Sequence, residues 1–265
     1  MNPNRAKQAK PANSQQHDQA GQTLAVKKPK HSGPDKHDQY IRDPLAHFLS
    51  IPWAAKALTD PAVLDIVVSD RTRLATGEQQ FVRSILSSET TVRACVTYFL
   101  RVPSQQQQER KKTLFSASGG HHGAGEGGQQ PLSKSKALLQ GGGPENGEGP
   151  EKPFLLFNAL LDLGEDLCGF KGTLHGGALV VLLDETMCAA ADNQSSYAFT
   201  ATMTTKFLKP VKLPGVVVVR SRVIKKEGRK IWVRGSIEDG DGNLMAESEA
   251  MLVDKAPNRL VKSNL

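Results

Sequence analysis

The segment 172–191 constrains the fold of this chain more than any other part of the sequence. It begins with a glycine-rich turn, Gly172-Thr173-Leu174-His175-Gly176-Gly177, and continues over 178–191 with residues that are apolar on almost every side of a helix. A helix without a polar face is buried. Asp184 and Glu185 lie inside this run. Burying a carboxylate without partners costs several kcal/mol, so at least one of these acids is expected to have a function.

The start of this helix suits a developing negative charge. Backbone N–H groups in a first helical turn are unpaired and carry the positive end of the helix dipole. Gly176 and Gly177 let a ligand approach this backbone closely. Asp184 lies nine residues beyond His175, about two and a half helical turns away, which is too far for both to act easily on one carbonyl. A second, antiparallel copy would bring its Asp184 to this turn, so the sequence predicts an active site shared between subunits.

Antiparallel strands are predicted on both sides of the helix in the sequence. An apolar strand is expected over 154–161, followed by a turn at 164–169. After the helix, strands are expected over 197–210, 216–226, 230–238 and 243–254, with tight turns before the last two. One buried helix followed by consecutive antiparallel strands indicates an α+β fold in which the sheet wraps around the helix.

Three features of the sequence together resemble the PaaI-like branch of the hotdog-fold acyl-CoA thioesterases. They are His175-Gly176-Gly177 at the start of a buried helix, the acid Asp184 nine residues beyond His175, and five strands in this order. The mammalian thioesterase-superfamily-member enzymes share the pattern, as do fungal proteins that carry an N-terminal leader. The resemblance covers roughly 153–254. It implies a hotdog fold, hydrolysis of acyl-CoA to free acid and coenzyme A, and a homodimer or homotetramer, with no cofactor.

The resemblance assigns the reaction to four residues. The Gly176 N–H would stabilise the oxyanion, and His175 would orient the carbonyl or the turn, unless it only caps the turn. Asp184 would be the general base, with its pKa raised in a dry pocket, or a nucleophile that forms a mixed anhydride. Thr200, ten residues before Pro210, would help to hold the attacking water. Glu185 faces about 100° away from Asp184 and is expected to be a surface or interface acid.

The resemblance also implies contacts with coenzyme A at the end of the strand 197–210 and at the hairpin that follows. Together with Gly177, the corresponding residues are Phe207, Lys209, Lys226, Glu227, Gly228, Arg229, Lys230 and Ile231. Cations at this hairpin suit the phosphates of coenzyme A, although hairpin tips are also commonly charged for solubility. One departure from the pattern is Gly169, because many relatives have an Asn there that contributes to the site.

A small, mostly helical leader is predicted over 44–102, packed on the main domain at 153–255. Asp43-Pro44 is a typical helix start, and Asp60-Pro61 repeats it before a helix predicted over 62–69. A further helix is predicted over 77–88, whereas 90–100 fits either a strand or a continuing helix.

The remaining segments are predicted to lack regular structure. Residues 103–152 are rich in Gly and Gln and are expected to form a flexible, solvated linker, in which His121-His122 would make a poor metal site. Residues 1–43 read as a disordered basic tail, because 1–42 hold eight Lys and Arg against three Asp, which is five of the seven net positive charges. This tail has no clustered Arg, so nucleic acid is not an expected partner. A short C-terminal tail is predicted over 256–265.

The cysteines and the hydropathy of the sequence give an indication of the cellular compartment. Cys95, Cys168 and Cys188 are odd in number and widely spaced, which fits reduced thiols inside a cell. No stretch approaches the roughly 18 apolar residues that a membrane helix needs. A cytoplasmic protein is therefore expected. The alternatives are the mitochondrion, from an N-terminus without acids, and the peroxisome, from the ending Ser263-Asn264-Leu265, a distant variant of Ser-Lys-Leu.

Two other functions stay open at this point. One is a non-catalytic hotdog module that binds acyl-CoA or a partner, with the basic tail and the linker as its working parts. The other is a hotdog 3-hydroxyacyl dehydratase, although those enzymes pair a His with an acid in a different arrangement. A serine or cysteine nucleophile is not supported, because no G-x-S-x-G occurs and Cys168 is close to His175 only in sequence. No metal site is predicted.

Overall fold

The structure is a computed structural model that describes residues 37–102, 135–195 and 197–255. The basic tail up to residue 36, the linker segment 103–134 with its His121-His122 pair, and the C-terminal tail 256–265 lie outside the described residues, so the predictions for them stay predictions.

The described residues form four α-helices and nine strands. Their bounds are α1 (Pro44–Leu49), α2 (Pro52–Leu58), β1 (Val63–Val68), β2 (Val92–Leu100), α3 (Lys136–Leu139), β3 (Leu156–Leu163), β4 (Cys168–Phe170), β5 (Thr173–Leu174), α4 (Gly176–Asp192), β6 (Ala198–Phe207), β7 (Gly215–Glu227), β8 (Lys230–Glu238) and β9 (Leu244–Asp254). Shorter turns of helix are π-helical at Phe81–Ile85 and 3-10 at Pro144–Asn146 and Glu165–Leu167.

A single large sheet surrounds the long helix α4. Its strands lie in the order β1-β2-β3-β7-β8-β9-β6, and each neighbouring pair is antiparallel. The helix packs across the inner face of this sheet, mainly over β7 and β8. This arrangement confirms the predicted α+β hotdog fold, with the sheet wrapped around one long helix.

The helix α4 is buried on one side only. Leu183, Met187 and Ala191 are fully buried against the sheet. The approach is close because β8 carries Gly235 opposite them: a Cβ there would lie 3.0 Å from Met187 Sδ and 3.1 Å from Leu183 Cδ2. The opposite side, which includes Asp184 and Cys188, is half-buried or exposed. Burial all round, as the apolar sequence predicted, is thus not reached within one copy of the chain.

The leader forms part of the sheet and does not simply pack on it. β1 pairs with β2, and β2 pairs with β3 of the main domain over its whole length. Before these strands, α1 and α2 cover the outer face of the sheet and contribute Phe48, Ala54 and Leu58 to a second core there. The expectation that 44–102 is mostly helical is therefore wrong for its second half.

The two Asp-Pro pairs of the leader have different outcomes because of the residues that follow them. Asp43 Oδ1 accepts a hydrogen bond from the Ala46 N–H at 2.9 Å and starts α1 as predicted. Asp60 Oδ1 accepts one from the Ala62 N–H at 2.8 Å, but this contact closes a turn. The β-branched residues after it then favour a strand. The helix predicted over 62–69 is consequently the strand β1.

The other predictions for the leader are resolved in the same way. The helix expected over 77–88 shrinks to the π-helical turn Phe81–Ile85. The segment 90–100, for which helix and strand were both open, is the strand β2.

The last part of the predicted linker is packed against the sheet. Leu138 on α3 is 1% exposed and belongs to the outer core. Buried charges on the neighbouring strands find backbone partners in this segment: Arg222 Nη1 donates to the Leu138 carbonyl at 3.3 Å, and the Ser135 N–H donates to Glu238 Oε1 at 3.1 Å. Because a buried charge needs such partners, the prediction of a flexible, solvated linker does not hold for 135–152.

Candidate active site

The glycine-rich turn before α4 is held by the backbone and side chain of His175. The His175 N–H donates to the Leu167 carbonyl at 2.8 Å, and its carbonyl accepts the first helical bond, from Leu179. Its ring Nδ1 accepts a hydrogen bond from the Gly177 N–H at 2.9 Å, which makes His175 the cap of the helix. With Nδ1 as acceptor, the neutral ring carries its proton on Nε2.

The Gly176 N–H is left available by this cap. Gly176 is the first residue of α4, and no acceptor for its N–H is present among the described residues. The ring of Phe207 lies against Gly176, since a Cβ on that glycine would be 3.5 Å from Phe207 Cε1. A free donor at the positive end of a helix, next to an aromatic ring, is suited to bind an oxyanion.

The space around Gly169 explains why this position does not hold the larger residue Asn. A Cβ on Gly169 would lie 3.0 Å from His175 Cδ2 and 3.1 Å from His175 Cα. A larger side chain would therefore displace the histidine as it is placed here. Residue 169 therefore does not supply the contact that the resemblance led us to expect there.

Asp184 and Thr200 form the second part of the site. Thr200 Oγ1 on β6 donates to Asp184 Oδ1 at 2.7 Å, and Cys188 Sγ lies 3.5 Å from the same hydroxyl. Asp184 is half-buried and Thr200 is exposed. Among the described residues, Asp184 Oδ2 has no hydrogen-bond partner. The predicted proximity of these two residues is thus present, and Cys188, one helical turn beyond Asp184, is a neighbour that the i, i+4 spacing could have revealed.

The groups next to Asp184 hold their protons more strongly than usual. The pKa of the Cys188 thiol is raised to about 11, chiefly by burial. The hydrogen bond with Thr200 opposes this shift, and the carboxylates of Asp184, Glu185 and Asp192 add to it. The Glu185 side chain is exposed at its tip. Partial burial nevertheless raises the pKa of Glu185. The negative charge of Asp184 raises this pKa further, and the positive charge of Arg71 lowers it. A protonated thiol is a poor nucleophile, so the Cys188 thiol is not suited to attack a substrate at neutral pH.

The residues assigned to coenzyme A lie at opposite ends of α4. Phe207 is next to Gly176 at the start of the helix. The hairpin residue Lys226 is at the other end, where its Nζ donates to the Gln194 carbonyl at 2.5 Å. A helix of 17 residues is about 25 Å long. Within one chain, the structure therefore does not bring these two groups together.

Most cations of this region already have partners. Lys225 pairs with Glu227 at 2.9 Å and lies 4.9 Å from the ring centre of Trp232. Arg229 Nε donates to the Asp254 carbonyl at 2.9 Å, and Lys209 Nζ to Asn243 Oδ1 at 3.0 Å.

Three predicted contact residues of the hairpin have no such partner. Lys230 is exposed at the tip, Gly228 forms the turn with a φ of +56°, and the Ile231 side chain is fully buried. Ile231 is therefore not accessible to a ligand in this copy of the chain, since β8 is paired on both sides there.

The edge of the sheet beside Asp184 is unusually apolar. β6 is an edge strand, and in the described part of the chain no strand pairs with its outer side. Tyr197, Phe199 and Phe207 along this edge are 64%, 63% and 58% exposed. Exposed apolar groups on an open edge are typical of a surface that another chain covers. Sequence reasoning did not single out Tyr197 or Phe199, because strand aromatics are common in sheets.

Two further observations concern other classes of site. No group of three or more His, Cys, Asp or Glu within the described residues is arranged to hold a metal ion. None of the helices in these ranges combines the length and apolar composition of a membrane-crossing helix.

Comparison with known proteins gives a family match. Residues 171–246 match the model of the Thioesterase superfamily. A mouse protein named acyl-coenzyme A thioesterase THEM4 is 34% identical over 102 residues, which are 38% of this chain and 44% of the mouse protein. A Candida albicans protein named as uncharacterized and mitochondrial is 30% identical over 100 residues, covering 35% of this chain and 45% of that protein. The chain thus spans less than half the length of these relatives.

A solved structure is also similar to part of the chain. The E. coli PaaI protein from the phenylacetic acid degradation operon aligns with 38% of this chain and 72% of its own length, at 16% identity and a TM-score of 0.37. The family match, which includes the turn at His175, Asp184 and Thr200, and the THEM4 relatives confirm the predicted resemblance to the hotdog-fold thioesterases.

Proposed function

We propose that this protein is an acyl-CoA thioesterase, which hydrolyses the thioester to a free acid and coenzyme A. The observation that carries the proposal is the hydrogen bond from Thr200 Oγ1 to Asp184 Oδ1, 2.7 Å long, beside an open sheet edge. It fixes one oxygen of the carboxylate, while the other has no hydrogen-bond partner among the described residues and can accept a proton, as a general base requires. The names of the THEM4 relatives support the substrate class.

The reaction needs a second helix start near Asp184. Within one copy, Gly176 is eight residues from Asp184, about 12 Å along the helix. Pairing of two β6 edges would continue the sheet and place two α4 helices side by side and antiparallel, because Asp184 lies on the β6 side of its helix. The proposed site therefore combines Asp184 and Thr200 of one copy with the Gly176 turn of the other, in a homodimer or a dimer of dimers.

The chemistry at this site is then a water attack. Asp184 accepts a proton from water that Thr200 helps to hold, and the hydroxide oxygen bonds to the thioester carbon. The Gly176 N–H of the other copy stabilises the oxyanion of the tetrahedral intermediate. Its collapse breaks the C–S bond and releases the acid and the coenzyme A thiol, which takes up the proton.

The same pairing accounts for the divided coenzyme A residues. In an antiparallel pair of helices, the end of one α4, with its hairpin from Lys226 to Ile231, lies near the start of the other, with Phe207 and Lys209. Two groups that are about 25 Å apart in one chain would thus border one binding site. Lys230, which is exposed, and Lys209 are the cations most accessible to the phosphates there.

The proposal is tested by measuring thiol release from short, medium and long aliphatic acyl-CoAs and from an aromatic acyl-CoA. We expect turnover on part of this panel and a loss of roughly 100- to 10,000-fold in kcat for Asp184→Asn, because the base is removed. Glu185→Gln is the matched control, since it neutralises the adjacent acid, and its turnover should be unchanged. Full turnover of a folded Asp184→Asn protein would exclude the mechanism. Acyl-CoA binding without turnover on any substrate would indicate a non-catalytic binding module.

For the cellular location we retain the cytoplasm as the proposal, on the basis of the three free thiols. The name of the Candida albicans relative makes the mitochondrion the main alternative. Fractionation of cells that express the full chain distinguishes the two.

A further inference from the structure

A cavity with apolar inner walls, partly open to solvent, lies on the other side of α4 from Asp184. It has a volume of about 280 Å³ and is bounded by α4, by the inner faces of β2 and β3, and by the segment 69–86, here named the flap. Its apolar walls come from Val82, Leu86, Val92, Phe157, Leu161 and Leu182. Leu182 and Asp184 point about 200° apart around the helix. The cavity is therefore separate from the proposed reaction centre.

Polar groups that line the cavity are satisfied by the protein itself. Ser69 Oγ and Cys95 Sγ are 3.1 Å apart and bond to each other. Thr186 Oγ1 donates within α4, to the Leu182 carbonyl at 3.0 Å, and Thr97 Oγ1 donates to the Val67 carbonyl at 3.4 Å. A ligand in this space therefore gains no hydrogen bonds from these atoms, and a polar ligand would bury its own polar groups unpaired. The interior thus selects a hydrocarbon.

The flap is braced by its own arginines, so the cavity has a defined wall. Arg83 Nη1 donates to the carbonyls of Asp70 and Thr72 at 3.0 and 2.8 Å. Arg71 Nη1 donates to the Val82 carbonyl at 3.3 Å. These bonds tie the first part of the flap to the π-helical turn.

The rim of the cavity is charged and balanced. Arg71 and Arg83 lie there with Asp70 and Glu185. A polar head group can remain in water at this rim while an apolar chain lies inside.

From these features we propose that the cavity binds one linear hydrocarbon chain of roughly ten carbons. We estimate the length by comparing volumes. An apolar cavity of about 150 Å³ accommodates the six carbons of a benzene ring, so a cavity of about 280 Å³ accommodates roughly ten carbons. Such a chain is carried either by a free carboxylic acid or by an acyl thioester. Both ligands present the same hydrocarbon chain to the cavity walls. Because the cavity lies on the other side of α4 from Asp184, a free acid bound there would not compete with substrate at the proposed reaction centre.

The test uses decanoic acid and the full-length protein, with binding measured by isothermal titration calorimetry. Ala189→Phe fills the cavity from α4, and Thr97→Phe fills it from β2. Ala75→Phe is the matched control, because Ala75 is an exposed flap residue that does not line the cavity. We expect at least about tenfold weaker binding in both filling variants and unchanged binding in Ala75→Phe. Circular dichroism checks that each variant is folded.

A second measurement separates the two sources of the chain. If the cavity holds the tail of the substrate, the filling variants shift the chain-length profile of thiol release to shorter acyl groups. If it holds a free acid, they lose acid binding and keep the wild-type profile. Absence of decanoic acid binding by the wild-type protein, together with an unchanged profile in both filling variants, would overturn the proposal. Binding to the Asp184→Asn protein should persist, so a failure of the proposed hydrolysis does not affect this result.

Discussion

The two flanks of α4 are built from the same short stretch of sequence and have opposite properties. On the flank that faces β6, Asp184 bonds to Thr200 with Cys188 beside them, at an open sheet edge. On the flank that faces β2 and β3, Leu182 and Thr186 border a cavity roofed by the flap. The first flank has a carboxylate oxygen without a hydrogen-bond partner among the described residues, whereas the polar atoms of the second are bonded internally.

This difference shows how one apolar helix can serve two purposes. A period of 3.6 residues places positions 184 and 188 together on one side and 182, 186 and 189 on another. The side with the acid is completed only by another copy of the chain, according to the proposal above. The other side is completed by the leader of the same chain. The side with Asp184 therefore depends on a second copy of the chain and the other side on the leader. Substitutions on one side can thus be compared with substitutions on the other.

After Asp184→Asn, the largest effect is expected at the helix start, with Gly176→Pro. Proline suits the first helical position and lacks only the N–H, and His175 before it already has the extended conformation that a residue before proline prefers. We expect thiol release to fall roughly 100- to 1,000-fold. Gly176→Ala keeps the N–H, and its Cβ would make an ordinary 3.5 Å contact with Phe207, so it should retain turnover.

Mixing two inactive variants sharpens this prediction. In a heterodimer of Gly176→Pro with Asp184→Asn, one of the two shared sites has both wild-type residues. Refolding an equal mixture should restore about a quarter of the wild-type activity, since half of the dimers are mixed. No recovery, with heterodimers present on native mass spectrometry, would mean that the site lies within one chain.

A smaller effect is expected from two threonines, one on each flank. Thr200→Val removes a hydrogen bond to a carboxylate, which is worth about 1.5–3 kcal/mol, so kcat should fall roughly 10- to 100-fold. Thr186→Val removes the acceptor of the 3.0 Å bond from Ser221 Oγ and should cost about 1–3 kcal/mol of stability with kcat unchanged. Urea unfolding and thiol release measure the two quantities. Equal effects of both variants on kcat would remove the functional distinction between the flanks.

The smallest effect concerns the thiol beside Asp184. Because burial raises the pKa of Cys188 from 9.0 to about 11, its alkylation by iodoacetamide should stay slow at neutral pH and increase up to about pH 11. The exposed Cys168 should react first, as mass spectrometry of peptides can show. The folded pKa lies above the unfolded one, so the stability from this group is complete below about pH 9 and is lost as the pH rises to about 11. Rapid labelling of Cys188 at neutral pH would instead indicate a thiolate nucleophile.

Short-range signals in the sequence were sufficient for the main domain. The glycines at 176 and 177, the apolar run after them and the turn residues at 227–228 and 239–242 act over a few residues, and the strands β7, β8 and β9 lie within about two residues of their predicted bounds. Asp184 and Thr200 were also predicted, but through the resemblance to the hotdog-fold thioesterases, which supplied the offset from His175 and the distance to Pro210. Their hydrogen bond, however, depends on β6 running back alongside α4, and this packing could not be predicted from the local sequence.

Long-range pairing explains what the sequence did not reveal. β2 joins β3 across more than fifty residues, with Cys95 opposite Leu161, and no local pattern specifies this contact. The flap, the cavity and the packed position of Leu138 all depend on it. The separation of Phe207 from Lys226 likewise follows from the length of α4 and not from their spacing in the chain.

The burial of β3 has a consequence for how this protein can be divided. All eight positions of β3 are buried, because β2 and β7 flank it, α4 and Leu167 lie on its inner side and the leader helices on its outer side. A fragment that begins at residue 153 would expose the β3 backbone edge and the side chains of Leu156 and Leu160 to water. Such an edge recruits other chains into aggregates. Expression of the catalytic region for crystallisation or assay should therefore start before α1, with the leader regarded as an integral part of the domain.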